Sequence, residues 1–262
     1  MADYSIRIYQ DSDYQIVREI FACGLLEHIK ASFRHTLSLP HIRFLLAVGS
    51  LVPLLTTGSF AISLMVVTIA LLILWFINRQ IYTSYIQQSL GQDMLDIGKY
   101  YCQRDNCCFW VAKSAGEVVG MVAAAPFCHP GDKKLMELKR LSVPKRHRGK
   151  GIAKALCRTV IDFARKKGFQ ALTLDTSVCQ ISSWKLYEKI GFRRTRTFYS
   201  NDYFAEFIDL RDVNYWTHIA EDAHFIKASK LDEKTCRNDY VQCSVNIVPI
   251  KTAEKSSGTK VK

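Results

Sequence analysis

Between Phe44 and Asn78 this 262-residue chain runs for 35 residues without a charged side chain, and no other feature limits its possible folds as sharply. About 20 apolar residues cross the hydrocarbon core of a bilayer as a helix, so the run is half again longer than one crossing needs. It reads as membrane-inserted. It is not a secretory signal, because strand-like Ile6-Arg7-Ile8 and the helical pattern of Ile16, Val17, Ile20 and Phe21 precede it. Pro53 and the cluster Thr56-Thr57-Gly58-Ser59 divide the run into Phe44 to Leu55, short for a span, and Phe60 to Ile77, close to sufficient. The expectation is a hydrophobic helical hairpin over residues 43–80, turning within Pro53 to Ser59, with either two crossings or a re-entrant course.

Around that segment the chain reads as α/β. The strand-like run Leu135 to Val143 leads into Arg146-His147-Arg148-Gly149-Lys150-Gly151, after which Ile152, Leu156, Val160 and Phe163 mark one face of a helix. Gly149 and Gly151 let backbone amides approach a ligand with no Cβ in the way, and the helix start adds unpaired N–H groups and a positive dipole end. A pyrophosphate fits such a turn, with Arg146, Arg148 and Lys150 available for further phosphate charge. Arg165-Lys166-Lys167-Gly168 closes the helix, Phe169 to Thr176 alternates as a strand, and a second helix with Trp184, Leu186, Tyr187 and Ile190 stops at Gly191-Phe192. The order is strand, glycine turn, helix, strand.

These residues resemble the GNAT superfamily of acetyl-CoA-dependent N-acetyltransferases. The family's R/Q-x-x-G-x-G signature matches Arg146, Gly149 and Gly151, and its A-x-x-L-Y-x-x-x-G-F signature matches Leu186, Tyr187, Gly191 and Phe192, with Ser183 in place of alanine. Ile6 to Tyr14 with the helix after it looks like the family's first strand and helix. Phe109 to Lys113 and Val118 to Ala123 look like its central hairpin, turning at Ala115-Gly116-Glu117. Gln180 stands where the family often has asparagine. The resemblance implies a GNAT acyl-CoA N-acyltransferase fold with a mixed central sheet. Residues 1–42 would supply its first strand and helix and 81–211 the remaining catalytic domain. It also implies acetyl-CoA as cosubstrate, bound by Leu141, Ser142, Val143, Arg146, Arg148, Gly149, Lys150, Gly151, Ile152 and Ala153.

If Ile6 to Ile8 joins the same sheet as residues 135–174, the chain must return to the side it left, which excludes a single crossing. Arg34 and Arg43 before the run and Arg79 after it then favour both flanks in the cytosol. Nine scattered cysteines give neither a disulfide framework nor metal-ligand spacing with histidine, so no metal is expected. A net charge of +12 invites a nucleic-acid reading. Cofactor phosphates and an anionic membrane surface suit the cations better, since no aromatic residues interleave with the patch and the apolar insertion is incompatible with a free nuclear protein. Residues 251–262 read as a disordered basic tail, and residues 212–250, with Trp216 and Val241 to Ile250, stay unplaced.

Acetyl transfer needs a neutral amine, a stabilised oxyanion and a protonated thiol leaving group. By the family motif Tyr187 is the acid; the alternative is a core tyrosine beside Trp184 and Ile190. Backbone N–H groups of Leu141 to Val143 would hold the thioester carbonyl, as family strands do there. Glu137, lying within an otherwise apolar strand, is the candidate base. Within the superfamily the apolar insertion, Gly149 to Leu156, Gln180 and Phe109 to Ala112 look like the camello-like membrane N-acetyltransferases. That resemblance implies an enzyme of the endoplasmic reticulum membrane or adjacent membranes, acetylating a small amphiphilic amino acid such as a cysteine S-conjugate. Protein lysine acetylation and an inactive membrane scaffold are the alternatives.

Overall fold

The computed structural model describes residues 4–127, 135–199 and 203–219; the expectations for residues 220–262 lie outside them. The elements are β1 (Ser5–Ile8), α1 (Tyr14–Leu26), α2 (Ile29–Ser38), α3 (Pro40–Thr57), α4 (Phe60–Gly91), β2 (Cys108–Ser114) and β3 (Glu117–Phe127). After them come β4 (Leu135–Ser142), α5 (Ile152–Lys166), β5 (Ala171–Ser177), α6 (Ile181–Ile190), β6 (Arg193–Tyr199), α7 (Tyr203–Phe207) and β7 (Arg211–His218).

All seven strands form one sheet in the order β1-β2-β3-β4-β5-β7-β6. Among the described residues only β4 and β5 are parallel. A parallel step needs a crossover, which α5 supplies. The sheet is the mixed one expected, and β1 pairs with β2 from Ser5↔Lys113 to Ile8↔Trp110, so the chain before the apolar run does return to the same sheet.

Strand alternation sends the two faces to different helices. On one face Trp110, Val122, Met136, Leu138, Leu172, Leu174 and Tyr215 pack with Leu156, Cys157 and Val160 of α5. On the other, Phe109, Val111, Met121 and Ala123 meet Val17, Ile20 and Phe21 of α1. Gly120 lets α5 dock closely: a Cβ there would come within 3.1 Å of Ile152 Cγ2 and of Leu156 Cδ1.

The apolar run folds as a helical hairpin of α3 against α4. Its turn is narrower than expected, because Pro53 lies inside α3 and only Gly58, at φ +64, and Ser59 separate the helices. Polar side chains in the hairpin bond to its own backbone: Thr57 Oγ1 to Pro53 O at 2.7 Å, Thr56 Oγ1 to Val52 O at 2.9 Å and Ser63 Oγ to Ser50 O at 2.6 Å, the last joining the two helices. Leu55, Phe60, Leu64, Leu72 and Phe76 point outward. Both helices are long and apolar enough to cross a membrane.

α4 does not stop where the apolar run does. It continues to Gly91 with Asn78, Tyr82, Ile86 and Ser89 buried, a stripe at helical spacing. Asn78 Oδ1 accepts from Ser32 Oγ at 2.6 Å, and its Nδ2 donates to Thr36 Oγ1 at 3.2 Å, tying the helix to α2. One rigid rod thus carries the chain from the hairpin onto the sheet domain. Arg211–His218, mostly within the stretch that the sequence left unplaced, forms β7 between β5 and β6, so the sheet extends past residue 211.

Candidate active site

β4 and β5 pair only from Leu135↔Ala171 to Glu137↔Thr173, although β4 runs on to Ser142 and β5 to Ser177. Past Glu137 the strands part and leave the β5-facing edge of β4 without a ladder partner among the described residues. Backbone N–H groups on such an edge need acceptors. The end of β4 is held from the other side by α1, where Ser142 Oγ donates to Ile20 O at 3.3 Å and a Cβ on Gly24 would come within 2.5 Å of that Oγ.

Immediately after β4 the chain makes a 3-10 turn at Lys145–His147 and enters α5 through two left-handed glycines, Gly149 and Gly151, each at φ +80. Apart from the adjoining residues of the chain, no atom of the described residues lies within 4 Å of a Cβ built on either. The loop is therefore shaped by backbone torsion and open on its ligand side, and the first-turn N–H groups of α5 add an anion-binding helix end. This fits a pyrophosphate group. Ile152 is buried behind the loop and Ala153 half-buried.

The three loop cations differ in what they already hold. Arg148 Nε donates to Val143 O at 2.8 Å, and its Nη2 lies 2.9 Å from Glu27, so it braces the loop against the α1–α2 junction. Arg146 bonds His147 Nε2 at 2.9 Å and reaches Glu117 at 3.5 Å, in an exposed pair that solvent weakens. Lys150 is exposed with no ion pair among the described residues.

Tyr187 is 6 % exposed on α6, its ring between those of Phe192 and Tyr215 with both centroids 5.9 Å away. Trp184 and Ile190 are more peripheral. Burial, then the nearby Cys157 and Tyr215, pushes its phenol far above the ordinary range, so it keeps its proton at neutral pH. Its hydroxyl makes no hydrogen bond among the described residues. Gln180 precedes α6, where its Oε1 accepts from Thr176 Oγ1 at 3.0 Å.

Glu137 faces the α1 side of the sheet, paired with Lys139 at 3.3 Å. Register places Thr173, Asp175 and Ser177 of β5, Asp212 and Asn214 of β7, and Arg196 of β6 on that same face. Asn214 Nδ2 donates to Asp175 Oδ1 at 2.7 Å and to Thr173 Oγ1 at 2.9 Å. Asp175 is exposed on one side, yet desolvation by the protein packed on its other side raises its carboxyl to about 6, with the Glu137 charge adding to the rise against the Asn214 bond and the Arg196 and Lys139 cations. Burial and the Asp175 charge take Asp212 to about 6 as well. The sequence reading missed both aspartates. The signal available for Asp175 was an acid next to the apolar run Ala171 to Leu174 of its strand. Among the described residues no group of three His, Cys, Asp or Glu side chains could hold a metal ion.

Residues 75–192 match the family model described as Acetyltransferase (GNAT) family. The chain is 41 % identical over 220 residues to N-acetyltransferase 8B of Homo sapiens, covering 84 % of this chain and 96 % of that protein. It is 42 % identical over 202 residues to N-acetyltransferase family 8 member 3 of Mus musculus, covering 76 % and 89 %. Among solved structures, a GNAT-family acetyltransferase of Staphylococcus aureus aligns over 83 % of this chain and all of that one, with a TM-score of 0.49 and 17 % identity.

Proposed function

The chain belongs to the N-acetyltransferase 8 family of GNAT acetyltransferases, an acetyl-CoA-dependent N-acetyltransferase, and from that premise we propose that it works at a membrane on a small amphiphilic amino acid, a cysteine S-conjugate being the type. The carrying observation is where the hairpin meets the cleft. Trp75, Ile77, Ile81 and Tyr82 of α4 pack with Val178 and Cys179 directly after β5 and with Ala205, Ile208 and Leu210. The acid-bearing face of the sheet therefore opens beside the point where the chain leaves the apolar hairpin. An acceptor with an apolar thioether group concentrates at that bilayer surface, and Lys139 and Arg196 on the same face suit its carboxylate.

In this reading the loop from Arg146 to Ala153 holds the CoA pyrophosphate on the N–H groups that Gly149 and Gly151 leave open. Backbone N–H groups of Leu141 to Val143 stabilise the negative charge that develops on the thioester oxygen. Asp175, close to neutral in affinity for a proton, takes one from the acceptor ammonium. The freed amine forms the C–N bond to the thioester carbon, the C–S bond breaks as the tetrahedral intermediate collapses, Tyr187 gives its proton to the departing thiolate, and the second proton shed by the nitrogen returns through solvent to Tyr187. Glu137 serves as the alternative base, although Lys139 already compensates its charge.

The membrane reading rests on the hairpin. Phe60 to Ile77 spans about 27 Å as a helix, the thickness of the endoplasmic reticulum core rather than of thicker membranes. On the shorter side Arg43 reaches back to Leu37 O at 3.1 Å, as a cation at the lipid boundary does. With β1 and β2 in one sheet, both flanks share a side, and the cation distribution favours the cytosolic one.

The test is CoA release by the purified full chain with S-benzylcysteine, aspartate and a lysine-containing peptide. The expected result is the highest kcat/KM for S-benzylcysteine. Preference for the peptide would overturn the acceptor assignment.

A further inference from the structure

Met121 and Ala123 of β3 are separated by one residue, whereas their partners on β4, Ser142 and Lys139, are separated by two. β4 therefore carries a bulge at Arg140 and Leu141. Arg140 sits at φ +55, the left-handed region where bulges of this kind ordinarily place glycine. A residue with a Cβ stays there only when its surroundings hold it.

Here they do. The Arg140 side chain is 8 % exposed. Its Nε and Nη2 donate to the two carboxylate oxygens of Asp93 at 2.8 and 2.6 Å. Its Nη1 donates to the Tyr85 hydroxyl at 3.0 Å, and its guanidinium lies 4.9 Å from the Phe21 ring centroid. Asp93 also accepts from the Tyr101 hydroxyl. Tyr85 belongs to α4 and Asp93 follows directly after it, so the helix that leaves the apolar hairpin grips the one strained residue of β4. A staple between helix and strand would need no left-handed residue, since an extended position could carry the same ion pair. The coincidence of the grip with the bulge is what calls for a function.

We propose that Arg140 is a positioning residue: the hold of Asp93 and Tyr85 on its guanidinium keeps the β4 bulge in the geometry that turns backbone N–H groups of Leu141 to Val143 toward the thioester carbonyl. The inference rests on the reading that those amides are the oxyanion donors. Arg140 itself touches neither substrate.

The experiment uses the full chain in detergent with acetyl-CoA labelled with ¹³C at the thioester carbonyl, and no acceptor. Infrared spectra of the bound carbonyl, CoA affinity and kcat are compared for wild type, Arg140→Ala, Arg140→Gly and Tyr85→Phe. Wild type is expected to lower the carbonyl frequency. Arg140→Ala should lose that shift and at least tenfold in kcat while CoA, which has no thioester carbonyl, binds within about twofold of wild type. Arg140→Gly should recover part of both losses, because glycine adopts the bulge torsion without a grip. Tyr85→Phe should lie between wild type and Arg140→Ala. If Arg140→Ala does not fold, Arg140→Gly and Tyr85→Phe carry the decision, and a wild-type shift and kcat in both overturn the proposal. A carbonyl shift that persists in Arg140→Ala overturns it directly. No shift in wild type refutes the amide reading beneath it instead.

Discussion

At the scale of single residues, Tyr187 and Asp175 have opposite tasks: the phenol is buried, whereas the carboxylate is exposed and crowded by its neighbours on the sheet. A buried phenol holds its proton and can only donate it; a crowded carboxylate near 6 can accept one close to neutral pH. Tyr187→Phe keeps the ring between Phe192 and Tyr215 and deletes the hydroxyl, so turnover should fall by about 10²- to 10⁴-fold with acetyl-CoA affinity near wild type. An acyl donor whose leaving thiol has a low pKa should restore part of the loss. Single-turnover rates within twofold of wild type would make Tyr187 a packing residue. For Asp175 the active form is the ionised one, so kcat/KM should rise as pH increases through about 6, a limb shared with Asp212 because the two carboxylates interact. Asp175→Asn should flatten it. A folded-state value raised from 3.8 to about 6 costs stability in full above about 6, and the cost shrinks as pH falls from there and is gone below about 3.8, the reverse of the usual carboxylate case. Asp175→Asn should therefore raise Tm at pH 7.5 and leave it nearly unchanged at pH 4. An unaltered pH–rate profile would return the base to Glu137.

Among the elements, the loop entering α5 carries the most easily isolated chemistry. Gly151 has room for a Cβ but not the torsion for one, at φ +80. Gly151→Ala then pays about 1–2 kcal/mol to keep the left-handed turn, which predicts CoA binding weaker by roughly tenfold. Gly151→Glu adds a charge facing the phosphates and should abolish measurable binding. Calorimetry giving equal CoA affinity for wild type and both variants would place the pyrophosphate elsewhere. The same loop shows how much of the site could be read from sequence. Its glycines, its cations and the amphipathic helix after it were legible because each depends on neighbours in the chain. What the cations do was not: Arg148 spends its guanidinium on Val143 and Glu27, and Glu27 lies far away in sequence.

For the whole molecule, the consequential arrangement is that β1 is paired into the sheet on one side of the hairpin and β2 to β7 on the other. Tags at residues 1 and 262 should accordingly be digested alike by protease added to intact microsomes; protection of only one would break the shared-side argument and the membrane course built on it. The presence of the hairpin and of the crossover unit followed from sequence alone, since hydrophobic length, helical periodicity and strand alternation are local properties that burial converts directly into structure; the mixed sheet was implied by the resemblance to the GNAT superfamily. The position of the turn at Gly58 instead of across Pro53 to Ser59 did not follow, because Pro53 reads locally as a helix breaker while α3 runs on through it to Thr57. Nor did β7, the Asp175–Asp212 face or the grip of Asp93 on Arg140. These are contacts between residues tens of positions apart, and only the folding of the sheet, which fixes which strands become neighbours and where β4 must bulge against β3, decides that they meet.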